Sequence, residues 1–268
     1  MLKIGYRCAE SILDEKKLED MASAGLTMLE IGVFNEPYFV DCKKICGWAN
    51  ARGIEACSVH LPFKGASSII QEKKEDREHA IEINRDLIAR ASDAGIGRFV
   101  LHPSPIVEEE RNREECKKYA MEAFDVLAEY AYSRGAVIAV EDMRLDCLGN
   151  SADELLEMIN VNDKLCVCFD VNHLFNDTHT EFIDKLKDKI VTVHISDYDH
   201  VEERHWLPGE GVINWHELYN KLIEVGYNGP WMYEVGMGIH DRRSRPLEFT
   251  DLYNNAMEIF SGKPLSRI

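Results

Sequence analysis

Residues able to bind a metal or carry a proton recur at the ends of successive short apolar runs. The runs VIAVE, CFD, VTVH and WMYE close on Glu141, Asp170, His194 and Glu234. A carboxylate in an apolar run is costly to bury unless a cation or a hydrogen-bond donor faces it. Three carboxylates and one imidazole suit Mn²⁺, Zn²⁺, Mg²⁺ or Co²⁺. The pattern therefore predicts that these four residues hold one divalent metal ion.

Other polar residues stand at equivalent points of the chain. Arg7 and Glu30 close the first two runs, and His60 in SVHLP and His102 in VLHPS close the next two. A single histidine beside an apolar run is more often a core residue than a functional one, so the inference depends on several runs placing such residues at the same end. His60 and His102 are predicted to line the pocket floor, where they would bond to substrate or to the metal-binding carboxylates.

Eight apolar, β-branched runs supply the strands that must position these residues. Amphipathic helical patterns separate the runs, and several of these patterns end on glycine. Near-continuous apolar runs are typical of parallel strands covered by helices. The runs are Ile4–Cys8, Met28–Gly32, Ile54–Pro62, Arg98–Ser104, Val137–Met143, Leu165–Val171, Ile190–Tyr198 and Pro230–Val235. Eight such units predict an α/β protein with a (β/α)₈ barrel, whose active site forms at the carboxyl ends of the strands. An open doubly wound sheet is the alternative, but no G-x-G-x-x-G motif follows the first run.

Length and composition fit one such barrel. The chain has 268 residues and no linker-like segment, so we expect a single domain over residues 1–268. Its formal net charge of −17 disfavours nucleic acid and favours a small-molecule partner. No secretory signal or membrane span is apparent, which predicts a cytoplasmic protein without a membrane partner. Eight cysteines without a CxxC pair predict reduced, mostly buried thiols.

Seven motifs occur in an order and spacing that resemble those of a known superfamily. They are SVHLPF, VLHPS, VEDM, FDVNHL, VHISD, HWLPGEGVINW and YEV. The chain resembles the xylose isomerase-like TIM barrel superfamily, and within it the sugar phosphate isomerase/epimerase group that includes ketose 3-epimerases. This resemblance implies that Glu141, Asp170, His194 and Glu234 hold one metal, with Glu141 and Glu234 as proton-transfer bases on opposite faces of the substrate. It implies an isomerase or epimerase of carbohydrate metabolism, acting on a sugar or related hydroxy-ketone through an enediolate.

The resemblance extends to residues around that set. His173 matches a histidine that contacts substrate oxygens, and His205 stands where sugar epimerases often carry a substrate-gripping arginine. This departure argues against ketohexose epimerisation specifically. The superfamily also contains abasic-site endonucleases with three zinc ions, in which His60 and His102 match extra ligands and His173, Glu203 and His205 match a third-metal set. Glu203 replaces the usual aspartate. Additional metals at these five residues therefore stay open.

Two alternative activities stay open as well. The same barrel and metal would support a dehydratase, a lyase acting on a sugar- or shikimate-like substrate. A multi-zinc, endonuclease-like phosphodiesterase is the other alternative, although the acidic charge and the lack of basic loop insertions argue against it.

Arg242, Arg243 and Arg245 follow the last run and would hold a substrate phosphate or carboxylate, or else form a solvated loop or subunit contact. The sequence is compatible with a homodimer or a homotetramer.

Overall fold

The computed structural model describes residues 2–268, and its eight parallel strands close into a barrel. The strands follow one another in chain order, and β8 pairs with β1 to complete the closure. The predicted (β/α)₈ barrel is therefore confirmed. The strands are β1 (Ile4–Ala9), β2 (Met28–Gly32), β3 (Glu55–His60), β4 (Arg98–Leu101), β5 (Val137–Glu141), β6 (Cys166–Asp170), β7 (Ile190–Ile195) and β8 (Trp231–Tyr233).

Eight α-helices alternate with the strands. Most begin at a residue whose side chain accepts a hydrogen bond from a backbone N–H of the first turn, as Asp14, Ser151 and Thr178 do. Short 3₁₀ turns at Glu10–Ile12 and Gly65–Ser67 add to the loops that follow β1 and β3. The helices are α1 (Glu15–Ser23), α2 (Cys42–Asn50), α3 (Lys74–Asp93), α4 (Arg113–Ser133), α5 (Ala152–Ile159), α6 (His179–Leu186), α7 (Trp215–Glu224) and α8 (Phe249–Phe260).

Six strands, β3 to β8, end one to three residues earlier than the apolar runs predict, and in two of them a proline explains the early end. The run Ile54–Pro62 ends as a strand at His60, and the run Arg98–Ser104 ends as a strand at Leu101. Pro62 lies two residues after the end of β3, and Pro103 lies two residues after the end of β4. A proline has no N–H to donate to a neighbouring strand, so the strands end before it. The other predicted strand boundaries agree with the structure to within three residues.

Alternation of side chains along the strands carries polar residues to one end of the barrel interior. Val100, Ala139 and Cys168 form a small buried cluster that is separate from the main core between sheet and helices. Two residues further along β5 and β6, the same face carries Glu141 and Asp170. The same step leads from Met28 to Glu30, from Thr192 to His194 and from Met232 to Glu234. The interior is thus mostly apolar in the middle, with Thr192 as a polar side chain in that layer, and polar at the carboxyl ends of the strands.

Two further predictions concern the cysteines and the membrane. All eight cysteines are free thiols, and seven of them are buried, as predicted. Among residues 2–268, no helix combines the length and the apolar character needed to cross a bilayer.

Candidate metal centre

The four predicted metal ligands meet at the carboxyl ends of the last four strands. Glu141 and Asp170 are the final residues of β5 and β6, His194 lies in β7, and Glu234 follows β8 directly. Each offers a ligand atom, and these four atoms all lie within 4.8 Å of one another. We call these four residues the ligand cluster. His194 is fully buried, and Glu234 keeps only 10% of its side-chain surface exposed. The fold therefore brings together residues that are far apart in the sequence.

A buried carboxylate fixes the ring of His194. The Nε2 atom of His194 lies 2.8 Å from Oε1 of Glu30, and Oε2 of Glu30 accepts a hydrogen bond of 2.6 Å from Oγ of Ser58. Glu30, His194 and Ser58 are all inaccessible to solvent. Because Glu30 acts as an acceptor, Nε2 carries the proton, and Nδ1 faces the ligand cluster. The sequence places Glu30 at a strand end without indicating this role, and nothing in the sequence marks Ser58.

Three carboxylate oxygens crowd the Nδ1 atom of His194. It lies 2.8 Å from Oε2 of Glu234, 3.0 Å from Oε1 of Glu141 and 3.9 Å from Oδ2 of Asp170. Oε2 of Glu234 and Oδ2 of Asp170 are buried and have no hydrogen-bond partner among the described residues. The 2.8 Å contact between Oε2 of Glu234 and the ring nitrogen does not have the geometry of a hydrogen bond. One ring nitrogen cannot satisfy three oxygens, whereas a shared divalent cation can. The donor set therefore fits a metal ion.

The charged groups of the cluster shift one another's pKa values. Burial opposes ionisation of Glu141, but His102 and His194 outweigh this effect and hold the pKa of Glu141 well below its ordinary value. Burial raises the pKa of Asp170 to about 6, against the opposing influence of His173. Burial also disfavours charge on His194, yet the surrounding anionic groups raise its pKa well above the ordinary value. The cluster thus has an excess of negative charge that a cation would offset.

Comparison with known families identifies the family to which the barrel belongs. The sequence model described as the xylose isomerase-like TIM barrel matches residues 18–249. The chain belongs to the xylose isomerase-like TIM barrel family. The resemblance that the motifs predict is thereby confirmed.

Three relatives of this xylose isomerase-like barrel are informative. An uncharacterized protein of Methanocaldococcus jannaschii is 30% identical over 180 residues, which make up 64% of this chain and 61% of that protein. A fructoselysine 3-epimerase of Shigella flexneri is 42% identical over 86 residues, or 32% of this chain and 26% of the epimerase. The chain therefore spans less than two thirds of the length of these two curated relatives. The crystal structure of a D-tagatose 3-epimerase-like protein has the same fold, with a TM-score of 0.82, 22% identity, and coverage of 96% of this chain and 97% of that one.

His60 and His102 contact one oxygen of Glu141, while the other oxygen faces His194. Their Nε2 atoms lie 3.1 and 3.0 Å from Oε2 of Glu141. The ring of Phe63 stacks on His102 at a centroid distance of 3.8 Å, and burial lowers the pKa of His102 to about 4 despite the nearby Glu141. His60, Glu141 and His194 also form a second group with ligand atoms within 4.8 Å. This geometry is compatible with both predicted roles, a bond to the metal-binding carboxylate and ligation of an additional ion.

His173, Glu203 and His205 form a second cluster beside the first. Oε1 of Glu203 lies 2.7 Å from Nε2 of His205 and 3.6 Å from Nε2 of His173. The Nδ1 atoms bond to backbone carbonyls, that of His205 to Glu234 at 3.0 Å and that of His173 to Asp142 at 2.8 Å. His205 adopts a left-handed backbone conformation with φ of 50°, which is unusual for a residue other than glycine. The structure therefore brings together the three residues that match the third-metal set.

The basic cluster after β8 is largely occupied by contacts within the protein. Arg243 is buried and donates to a backbone carbonyl, and Arg245 forms two hydrogen bonds to the carboxylate of Asp251 at 2.7 and 2.8 Å. The guanidinium of Arg242 lies over the ring of Trp206, 4.9 Å from its centroid. For the exposed Arg242 and Arg245, these contacts argue against a phosphate-binding or carboxylate-binding site and favour the predicted alternative of a solvated loop.

Proposed function

We propose that the protein is a metal-dependent isomerase or epimerase of a sugar or related hydroxy-ketone. The observation that supports this most directly is the placement of two glutamates around one imidazole nitrogen. Oxygens of Glu141 and Glu234 approach Nδ1 of His194 to 3.0 and 2.8 Å from two separate strand ends, those of β5 and β8. Two carboxylates on different sides of one metal position suit proton transfer at two faces of a bound substrate.

Four side chains would hold the metal and orient the substrate toward the bases. Glu141, Asp170, His194 and Glu234 supply three oxygens and one nitrogen, a set compatible with Mn²⁺, Zn²⁺, Mg²⁺ or Co²⁺. When bound, such an ion polarises two neighbouring substrate oxygens and acidifies the C–H bond beside them. Glu30 keeps the His194 ring in the orientation that turns Nδ1 toward this position.

Proton transfer is assigned to the two glutamates. One carboxylate accepts the proton from the carbon next to the carbonyl, and the other carboxylate delivers a proton to the opposite face, which inverts that carbon. Return of the proton to the neighbouring carbon would give isomerisation instead. His60 and His102 contact Oε2 of Glu141 and thereby hold this carboxylate in place. His173 and His205 lie beside the centre, around Glu203, and are assigned to substrate hydroxyl groups.

The substrate class follows from the relatives and from the site. The names of a fructoselysine 3-epimerase and a D-tagatose 3-epimerase-like protein both specify a ketose, and the latter shares the fold. We infer a small ketose-like molecule as the substrate of this chain. We also infer that residues 1–268 act as one domain.

A multi-metal phosphodiesterase is a second candidate, because His60, Glu141 and His194 form an additional ligand group. Metal analysis of the purified protein separates the two functions. One ion per chain supports the isomerase, whereas three ions per chain together with cleavage of a phosphodiester would support the second candidate. The net charge of −17 favours the first outcome.

Solvent exchange tests the proposed reaction. The protein, loaded with Mn²⁺, is incubated in D₂O with D-tagatose, L-ribulose and fructoselysine, and loss of the proton next to the carbonyl is followed by NMR. We expect exchange with at least one ketose and its abolition in Glu141→Gln. Glu157→Gln, on the outer helix α5, is the matched control and should exchange at the wild-type rate. Absence of exchange across a broad ketose panel would refute the proposal.

A further inference from the structure

Arg7 is the one arginine whose side chain contacts a member of the ligand cluster among the described residues. It lies in β1, where the preceding residue, Tyr6, pairs with Tyr233, so Arg7 is a neighbour of Glu234 across the barrel seam. Its Nη2 atom donates a hydrogen bond to Oε1 of Glu234. Only 19% of the Arg7 side chain is exposed. A guanidinium is therefore held beside one of the two proposed bases.

The aromatic ring of Phe34 supports the guanidinium. The central carbon of the Arg7 guanidinium lies 4.8 Å from the centroid of this ring. Gly32 provides the space for the ring, because a Cβ atom at this position would lie 2.3 Å from the Phe34 ring and 3.5 Å from Nη1 of Arg7. A planar cation stacked on a ring has few alternative positions. The direction from which Arg7 approaches Glu234 is therefore fixed by packing.

The contact with Arg7 separates the functions of the two Glu234 oxygens. Oε1 is bound to the guanidinium, while Oε2 lies 2.8 Å from Nδ1 of His194 and has no hydrogen-bond partner among the described residues. Glu141 differs, because both of its oxygens face imidazole rings. Without a donor at Oε1, the carboxylate of Glu234 would be able to rotate or to turn both oxygens toward a cation.

We propose that Arg7 is a positioning residue, which holds Glu234 through Oε1 so that Oε2 alone is directed into the ligand cluster. This inference rests on the proposed function, since it assumes that Glu234 binds the metal and transfers a proton. An arginine suits the position better than a lysine because its planar fork constrains direction, whereas an ammonium group acts as a point charge.

The test compares Arg7→Ala and Arg7→Lys with the wild type in Mn²⁺ affinity, measured by calorimetry, and in kcat and KM on the exchanging ketose. Loss of a residue that orients a metal ligand should lower both Mn²⁺ affinity and kcat by about 10- to 100-fold. KM should change much less, and Arg7→Lys should fall between Arg7→Ala and the wild type. Millimolar guanidinium ion should restore part of both properties in Arg7→Ala and neither in Glu234→Ala. Arg134→Ala, which breaks an ion pair with Asp93 away from the site, should match the wild type.

Specific results would overturn the inference. An Arg7→Ala protein with wild-type kcat and Mn²⁺ affinity would do so, as would a raised KM at unchanged kcat, which would make Arg7 a substrate-binding residue. Should Arg7→Ala fail to fold, Phe34→Leu removes the ring that supports Arg7 and must still lower kcat and Mn²⁺ affinity without raising KM. If the wild type exchanges no ketose, the proposed function fails, and Mn²⁺ affinity with its guanidinium rescue still decides the role of Arg7.

Discussion

The buried pair of Glu30 and His194 offers a sharp test of how the metal position is built. Glu30 accepts from Nε2 of His194 at 2.8 Å and from Oγ of Ser58 at 2.6 Å, so both of its oxygens are used. Replacing Glu30 with glutamine keeps the shape and one acceptor but removes the charge. Replacing it with alanine removes the acceptor entirely and frees the ring of His194 to rotate or to change tautomer.

The expected losses in metal affinity and in the free energy of unfolding follow from the hydrogen-bonding groups that each variant leaves unpaired. Loss of a carboxylate that orients a metal-binding histidine typically lowers metal affinity by about 10- to 100-fold. We expect Glu30→Gln near the lower end, because its amide oxygen still accepts from Nε2, and Glu30→Ala near the upper end. Ser58→Ala leaves one Glu30 oxygen buried without a donor, which should reduce the free energy of unfolding by about 1–3 kcal/mol.

Calorimetric titration with Mn²⁺ measures the first effect, and urea unfolding of the metal-free proteins measures the second. Glu129→Gln is a suitable control, because this carboxylate bonds to Lys164 on the outside of the barrel. Wild-type Mn²⁺ affinity in Glu30→Ala would refute the reasoning, since it would mean that the His194 ring is held by other contacts or does not bind the metal.

Three further predictions concern stability. Adding Mn²⁺ at about 100 times its Kd should raise the free energy of unfolding by about 2.7 kcal/mol, and EDTA should reverse the shift in thermal melts; an unchanged Tm would contradict metal binding. Asp197 is buried and accepts from Nε1 of Trp215 and from the backbone N–H of Gly209 at 2.8 Å each, so Asp197→Ala should lose at least about 3 kcal/mol in urea unfolding. Backbone hydrogen bonds from Glu202 and Val201, together with Arg204, lower the pKa of Asp199 to about 2. A lowered pKa stabilises the fold above the unfolded-state value, so the difference in stability between wild type and Asp199→Ala should be present at neutral pH, shrink below about pH 4 and disappear only below about pH 2; a difference that grows on acidification would contradict this assignment.

The four central residues could be predicted from sequence because their signal is local and the fold supplies the rest. Each lies at the end of an apolar run, and a two-residue step from a buried apolar side chain such as Ala139 or Cys168 leads to Glu141 or Asp170 on the same interior face. A closed parallel barrel then brings all strand ends of one polarity around a common axis. Residue type, periodicity and topology are sufficient for this part of the site.

Contacts between particular side chains could not be predicted in the same way. The bond from Ser58 to Glu30 depends on the register between β2 and β3, which shifts between Leu29 and Glu30. The pairing of Arg245 with Asp251 depends on how the loop after β8 packs against α8, so a basic cluster that appears free in the sequence is bound in the fold. Register shifts and loop packing leave no periodic pattern in the sequence.

A crystal of the Mn²⁺-loaded protein, measured at a wavelength where manganese scatters anomalously, would show whether the four residues of the ligand cluster bind one metal ion. We expect one strong anomalous peak bonded to Nδ1 of His194 and to one oxygen each of Glu141, Asp170 and Glu234, with Nε2 of His194 still bonded to Glu30. A peak elsewhere, no peak between these four residues, or a metal bound through Nε2 would contradict this expectation.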